Sequence, residues 1–334
     1  MHKYIIKRVL FLIPTILGVI LIIYAIMSIT PGTPGQAVLG SSASQQDIDA
    51  YNEMIGYNKP FLQKYAIYIG NMLKGDFGTS YFTKQSVFKE ILPRYMLTIQ
   101  LALMGVVLAT LIGVPIGVYA AVRQYSLWDT IPSVVSFLLA AVPTFVLGTL
   151  LLYEFSLKLN ILPSYYTVDG GIKSYIMPAL AMSIPPAAQN IRFTKSAMLE
   201  SIRQDYVRTA RAKGASEGTV IWKHALKNAL LPVVTQIGLS LGTFICGAVV
   251  VEKMFSLPGI GSLIIDRINY KDEPVIIAGT ILISIVFTVI MLLVDVIYAF
   301  IDPRIRAKYA GTKGKLHDRR KEKSCAGGLL SYYV

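Results

Sequence analysis

The sequence is short of the residues that most chemistry requires. Only two cysteines occur among 334 residues, Cys246 and Cys325. Cys246 falls in an apolar run and Cys325 in the polar tail, so a disulfide between them is excluded. Neither has metal-ligand spacing. Histidine is limited to His2, His224 and His317, and no H-E-x-x-H pattern is present, which removes a zinc protease of that type. No G-x-x-x-x-G-K-[ST] stretch occurs either; Gly311-Thr312-Lys313-Gly314-Lys315 reads as a basic linker. The chain therefore has no recognisable means of hydrolysing ATP. Charge is scarce too, at 15% of residues against about 25% in a soluble domain.

What replaces charge is apolar length. A helix needs about 20 apolar residues to cross a bilayer core, and six runs are read as spans: Val9–Ile29, Leu97–Val122, Thr130–Tyr153, Tyr175–Ile191, Ala229–Val251 and Val275–Ile301. The fourth is short and holds Pro178, Pro185 and Pro186, which membrane helices tolerate when neighbours satisfy the freed carbonyls. The first follows His2, Lys3, Lys7 and Arg8. Its 21 residues exceed a secretory core and no small-x-small site follows, so an uncleaved first helix is expected. The expected fold class is all-α, a polytopic membrane protein with six transmembrane helices.

Basic residues orient it. Of the 32 lysines and arginines, 21 fall in segments 1–8, 123–129, 192–228 and 302–334, which places these segments and both termini in the cytoplasm. The net charge of +13 is thereby explained at the membrane's inner face, and a nucleic-acid partner is not called for.

The chain divides into the N-terminus and first span (1–29), an external loop (30–96), a core of five further spans (97–301) enclosing a cytoplasmic loop (192–229), and a basic tail (302–334). In the external loop, 45–54 and 60–73 have helical spacing, with Phe61, Tyr65, Tyr68, Ile69 and Met72 on one face. This predicts an amphipathic helix on the outer surface or on neighbouring helices; a small soluble cap is the alternative. In the cytoplasmic loop, one helix is expected from Ala197 to Lys213, with Glu200 and Asp205 early and Arg208, Arg211 and Lys213 late, as the helix dipole favours. Gly214 would end it. Ser216 would cap a second helix running towards Leu231-Pro232.

Asp295 is the one ionisable residue well inside a run. Intramembrane acids are functional candidates, but a pairing with Arg304, Arg306 or a polar group on another helix is the simpler role, and no further intramembrane acid or histidine completes a proton relay. The same scarcity argues against an intramembrane enzyme. Within Asp205–Gly214, the small residues Ala210, Ala212 and Gly214 permit close approach of another protein, with Tyr206 and Arg208 at the rim; an ordinary surface helix accounts for the composition equally well.

Several motifs, in order, carry a resemblance: Arg8–Val19; Gly75-Asp76-Phe77-Gly78-Thr79-Ser80-Tyr81; Ile112–Gly117; Asp205–Gly214, continuing through His224 to Pro232; Glu252–Gly261; and Asp302–Arg306. Together they resemble the integral-membrane permeases of the dipeptide/oligopeptide/nickel family of ABC importers. Thr33-Pro34 departs from the family's acidic residue after the first external Pro-Gly.

The resemblance implies a type I ABC importer permease fold in a bacterial cell membrane. It also implies a second homologous permease, two cytoplasmic ATPase subunits that bind ATP and Mg, and an external solute-binding protein; no cofactor belongs to this chain. Asp205–Gly214 would be the EAA loop's coupling helix, so Asp205, Tyr206, Arg208, Thr209, Ala210, Arg211, Ala212, Lys213 and Gly214 are the expected ATPase contacts. Peptide is the expected solute, with nickel, glutathione or another small solute as alternatives; the absence of histidine from the spans argues weakly against metal. A self-sufficient channel or secondary transporter would not need such a loop.

Overall fold

The computed structural model describes residues 2–40 and 42–301. The tail 302–334, with the Asp302–Arg306 motif, and the Asp295 side chain lie outside the described residues. Among those described there is no strand, only an isolated Thr79–Ser86 bridge. The elements are α1 (His2–Ile29), α2 (Pro34–Leu39), α3 (Gln45–Met54), α4 (Phe61–Met72), α5 (Val87–Val122), α6 (Leu127–Ala141), α7 (Thr144–Leu151, extended by a π-helical turn Leu152–Lys158), α8 (Lys173–Ile202), α9 (Asp205–Ala212), α10 (Glu217–Thr219, followed by π-helical Val220–Ala225), α11 (Leu226–Met254), α12 (Ile260–Asn269) and α13 (Glu273–Ile301).

Leu10–Ile29, Val87–Val122 and Glu273–Val294 are each long and apolar enough to cross a membrane. The run expected as one span over Thr130–Tyr153 is instead broken between α6 and α7, with a bend of 101°. The cause is Val142-Pro143. The residue before a proline is pushed out of the helical region, and Val142 sits at φ −80°, ψ 125°. If this bent pair counts as one crossing, up to four helices qualify by length and composition among the described residues. At 30 and 29 residues, α8 and α11 have the length of a crossing as well.

The core is the bundle of α5, α8 and α11. Glycine makes the closest contact possible. A Cβ on Gly113 would lie 2.5 Å from Asn190 Cβ, and one on Gly117 would lie 2.7 Å from the Ile191 carbonyl oxygen. Two glycines four residues apart let α8 lie directly on the α5 backbone, the packing that lipid-embedded helices use in place of a hydrophobic drive. Pro115 stands between them without breaking α5.

Outside the core, α4 lays its expected face on α1 and α13: Phe61, Tyr65, Tyr68, Ile69 and Met72 pack with Ile20, Tyr24, Ile277 and Ile281. Of the placements considered for this helix, packing on neighbouring helices is the one observed. The segment 271–273 then ties the 30–96 segment down. Lys271 Nζ donates to the carbonyls of Thr30 and Gly32. Asp272 accepts from the Ser80 hydroxyl and, at 2.9 Å, from the Tyr81 amide. Glu273 pairs with Lys64 at 3.2 Å. Arg267 reaches Glu90 at 2.8 Å. Burial pushes the Asp272 carboxyl above the ordinary carboxylate range, against the pull of its Ser80 and Tyr81 hydrogen bonds.

Candidate functional site

The 192–229 loop has the expected glycine turn and second helix, but its first helix is not continuous. The expected helix over Ala197–Lys213 is broken at Arg203-Gln204: α8 ends at Ile202, Gln204 is extended (φ −74°, ψ 152°), and α9 starts afresh at Asp205. Glu200 therefore belongs to the preceding helix, and only Asp205 serves the N-terminus of α9. The second helix runs towards Leu231-Pro232 as expected and is continuous with the next span. From Glu217 the chain stays helical through Pro232 to Met254. As expected, Ser216 caps its start, accepting from the Thr219 amide at 3.4 Å.

Short and strongly amphipathic, α9 is anchored by two residues at i, i+3 spacing. Val207 is fully buried and Ala210 nearly so. They meet Val118 and Ala121 from α5, Met198 from α8, and Val220, Ile221 and Ala225 from the turns entering α11. Burying a valine stabilises by about 1.5–3 kcal/mol. This contact corrects one expectation: Ala210 is small for the sake of its own chain's core and presents nothing outward. Asp205, Tyr206, Arg208, Thr209, Arg211, Ala212, Lys213 and Gly214 are all exposed.

Tyr206 has a second task. Its hydroxyl lies 2.6 Å from Ser201 Oγ, and Ser201 donates its one proton to the Ala225 carbonyl at 2.7 Å. The tyrosine must then be the donor to the serine, and the chain of bonds ties α9 to the end of α8 and to the start of α11.

Gly214 closes α9 in the left-handed region, at φ +79°. Its amide donates to the Arg211 carbonyl at 2.9 Å and the Ala215 amide to the Ala210 carbonyl at 3.2 Å. This paired-bond ending is the one glycine serves best, because a Cβ is strained there. Nothing lies within 4 Å of where a Cβ would stand, so backbone conformation, rather than room for a partner, demands the glycine. Across the turn, Arg211 pairs with Glu217 at 2.8 Å.

Beside α9 lies an open cavity of about 390 Å³ between the ends of α5 and α8 and the turn, lined by Tyr119, Ile202, Arg203, Arg211 and Trp222 among others. Trp222, which sequence reasoning passed over, is more than half exposed there. A lone tryptophan in a basic loop was the available signal.

At the far end of α11, Glu252 is almost wholly buried. It accepts from the Thr98 hydroxyl of α5 and from the Ser262 amide at 2.8 Å. A Cβ on Gly259 would run into this carboxylate and one on Gly261 into Val249, which gives the Glu252–Gly261 motif its physical reason. Helix α11 thus runs from the coupling candidate at one end to a fixed anchor at the other. Among the described residues, no cluster of three or more metal-ligating side chains is present.

Two family models match the chain: "Binding-prot-dependent transport system membrane comp, N-term" over residues 1–102, and "Binding-protein-dependent transport system inner membrane component" over 113–307. The dipeptide transport system permease protein DppB of Alkalihalophilus pseudofirmus is 37% identical, with 92% of this chain and all of that protein covered. The glutathione transport system permease protein GsiC of Salmonella choleraesuis is 39% identical over the same shares. Among solved structures, two inward-facing crystal forms of the MetNI methionine ABC transporter match with TM-scores of 0.53 and 0.52. Their identities are 17% and 18%, and they cover 64% and 62% of this chain and 96% and 94% of theirs. At that identity they speak for the fold alone.

Proposed function

The chain belongs to the family of binding-protein-dependent transport system inner membrane components, the permeases of ABC importers, and from that membership we propose that it forms half of a translocation pathway for di- or oligopeptides. It is a transporter subunit and a multi-pass membrane protein. The finer reading is that it crosses the membrane six times with both termini in the cytoplasm. It works with a second homologous permease, two cytoplasmic ATPases that bind ATP and Mg, and an external solute-binding protein. ATP hydrolysis belongs to those partners, in keeping with the lack of a phosphate-binding loop in this sequence. No cofactor is assigned to this chain.

One observation carries the coupling role. Helix α9 turns a polar face outward, is held inward by Val207 and Ala210, and lies between two long helices, α8 and α11, to which Ser201 and Tyr206 bond it. A push on α9 therefore reaches both. Asp205, Tyr206, Arg208, Thr209, Arg211, Ala212, Lys213 and Gly214 form the proposed contact with an ATPase; Ala210 supports it from beneath.

In the assembled complex, cysteines placed at Arg208 and Lys213 should cross-link to the ATPase, with a yield that changes on ATP binding. No cross-link to an ATPase in a transporting complex would remove α9 from the coupling role.

A second reading of the solute has its own support, since the GsiC relative is a glutathione permease. Glutathione is itself a peptide derivative, so competition between labelled dipeptide and glutathione uptake separates the two.

A further inference from the structure

The uncharged spans carry carboxamides at four positions only: Gln100 on α5, Gln189 and Asn190 on α8, and Gln236 on α11. None lies in the first, third or sixth run. Asn190 is buried and donates to the Ala109 carbonyl at 3.3 Å. The three glutamines lie instead on the surface of the α5–α8–α11 bundle, with Gln100 and Gln189 exposed and Gln236 partly so.

They form two polar rungs. Gln236 Nε2 donates to Gln189 Oε1 at 3.3 Å, bridging α11 and α8. The Tyr175 hydroxyl donates to Gln100 Oε1 at 3.5 Å, bridging α8 and α5. On α8 the two rungs start from Tyr175 and Gln189. At 3.6 residues per turn these lie within about 40° of one face and about 21 Å apart along the axis. Between the rungs stand Pro185 and Pro186, which have no N–H to give to the carbonyls of Ala181 and Met182.

Several threonine hydroxyls in the spans bond back within their own helix, as Thr110, Thr149, Thr235 and Thr280 do on carbonyls four residues back. The glutamines do not. Gln100 Nε2, Gln189 Nε2 and Gln236 Oε1 have no partner among the described residues. Polar side chains at membrane depth face the bundle interior or a water-filled cavity. These three do not face the interior of this chain.

We propose that this face of α5, α8 and α11 lines the solute pathway, where Gln100, Gln189 and Gln236 hydrogen-bond the main-chain amides of a passing peptide. The chemistry suits that class. A carboxamide both donates and accepts, so it matches any peptide bond, and being neutral it neither traps nor repels a particular side chain. The inference rests on the importer reading and adds residues to it.

The test uses the complete complex in membranes, with Cys246 and Cys325 replaced by alanine and one new cysteine at a time: Gln100→Cys, Gln189→Cys or Gln236→Cys. A membrane-impermeant methanethiosulfonate should label each thiol, and trapping the ATPases with vanadate should change the rate. A separate Gln236→Leu complex should take up labelled dipeptide about tenfold more slowly at low concentration, the cost of one lost hydrogen bond to solute. Thiols that stay unlabelled in every nucleotide state, in a complex that transports, would overturn the proposal by placing this face against lipid or the second permease. So would wild-type uptake by Gln236→Leu. Labelling that responds to vanadate in a complex that takes up no dipeptide would uphold the pathway and reject the peptide reading.

Discussion

The cap around residues 271–273 and the α9 turn hold their charges in opposite ways. At the cap, Lys64–Glu273 and Arg267–Glu90 are ion pairs whose side chains are almost wholly buried. Lys271 and Glu252 are spent on backbone and hydroxyl partners, and Asp272 adds Arg267 at 3.7 Å to such partners. At α9, Asp205–Arg208 and Arg211–Glu217 are open to solvent, and the helix is anchored by Val207, Ala210 and the Tyr206–Ser201 bond. Removing one member of a buried pair strands a charge at a cost of about 3–5 kcal/mol, whereas exposed pairs contribute about 0–1 kcal/mol. The 271–273 cap is built to be fixed and the α9 turn to be a hinge.

That contrast is open to attack by substitution. Glu273→Ala leaves Lys64 buried without its partner and should loosen residues 45–72 by about 3–5 kcal/mol, read as lost amide-exchange protection in the α3–α4 region. Arg211→Ala, at the opposite end, should change protection of α9 by less than about 1 kcal/mol. Equal effects would erase the distinction. Val207→Ala comes next in size: it removes the hinge's one large apolar anchor, at about 2 kcal/mol, and should raise exchange in 205–215 while sparing the cap.

The smallest effect is that of pH on the cap. Burial raises the proton affinity of Asp272 on folding. Its contribution to stability is therefore fully present below about pH 4, the ordinary aspartate value, and is lost as pH rises through the raised value. Protection of the cap should fall over that window, and Asp272→Asn should reduce the dependence, leaving the share of Glu273, whose proton affinity burial also raises.

Much of this architecture is written in the sequence at short range. The apolar runs, the Gly113–Gly117 spacing, the face of α4 and the glycine that ends α9 follow from periodicity and backbone conformation. The break at Val142-Pro143 was less legible because Pro115, Pro132, Pro178, Pro185, Pro186 and Pro232 all sit inside unbroken helices. Proline alone does not say which way a helix resolves the conflict. The break at Arg203-Gln204 has neither glycine nor proline to mark it. Only the demand that Val207 and Ala210 turn inward selects it, and that is a tertiary cause. Val207, the one large aliphatic residue between Asp205 and Gly214, was the readable sign of the buried face. The cap's clamps join residues such as Lys64 and Glu273, 209 apart in sequence, and nothing local announces them.

The most direct test of the hinge is solute-stimulated ATP hydrolysis by a reconstituted complex carrying Gly214→Val. A β-branched residue at φ +79° forces the turn out of its left-handed conformation, so α9 should present its outer face wrongly. The variant should insert and assemble, yet its ATPase rate should no longer rise when loaded binding protein is added. Full stimulation in an intact Gly214→Val complex would contradict the claim that this turn transmits the partner's work to the membrane helices.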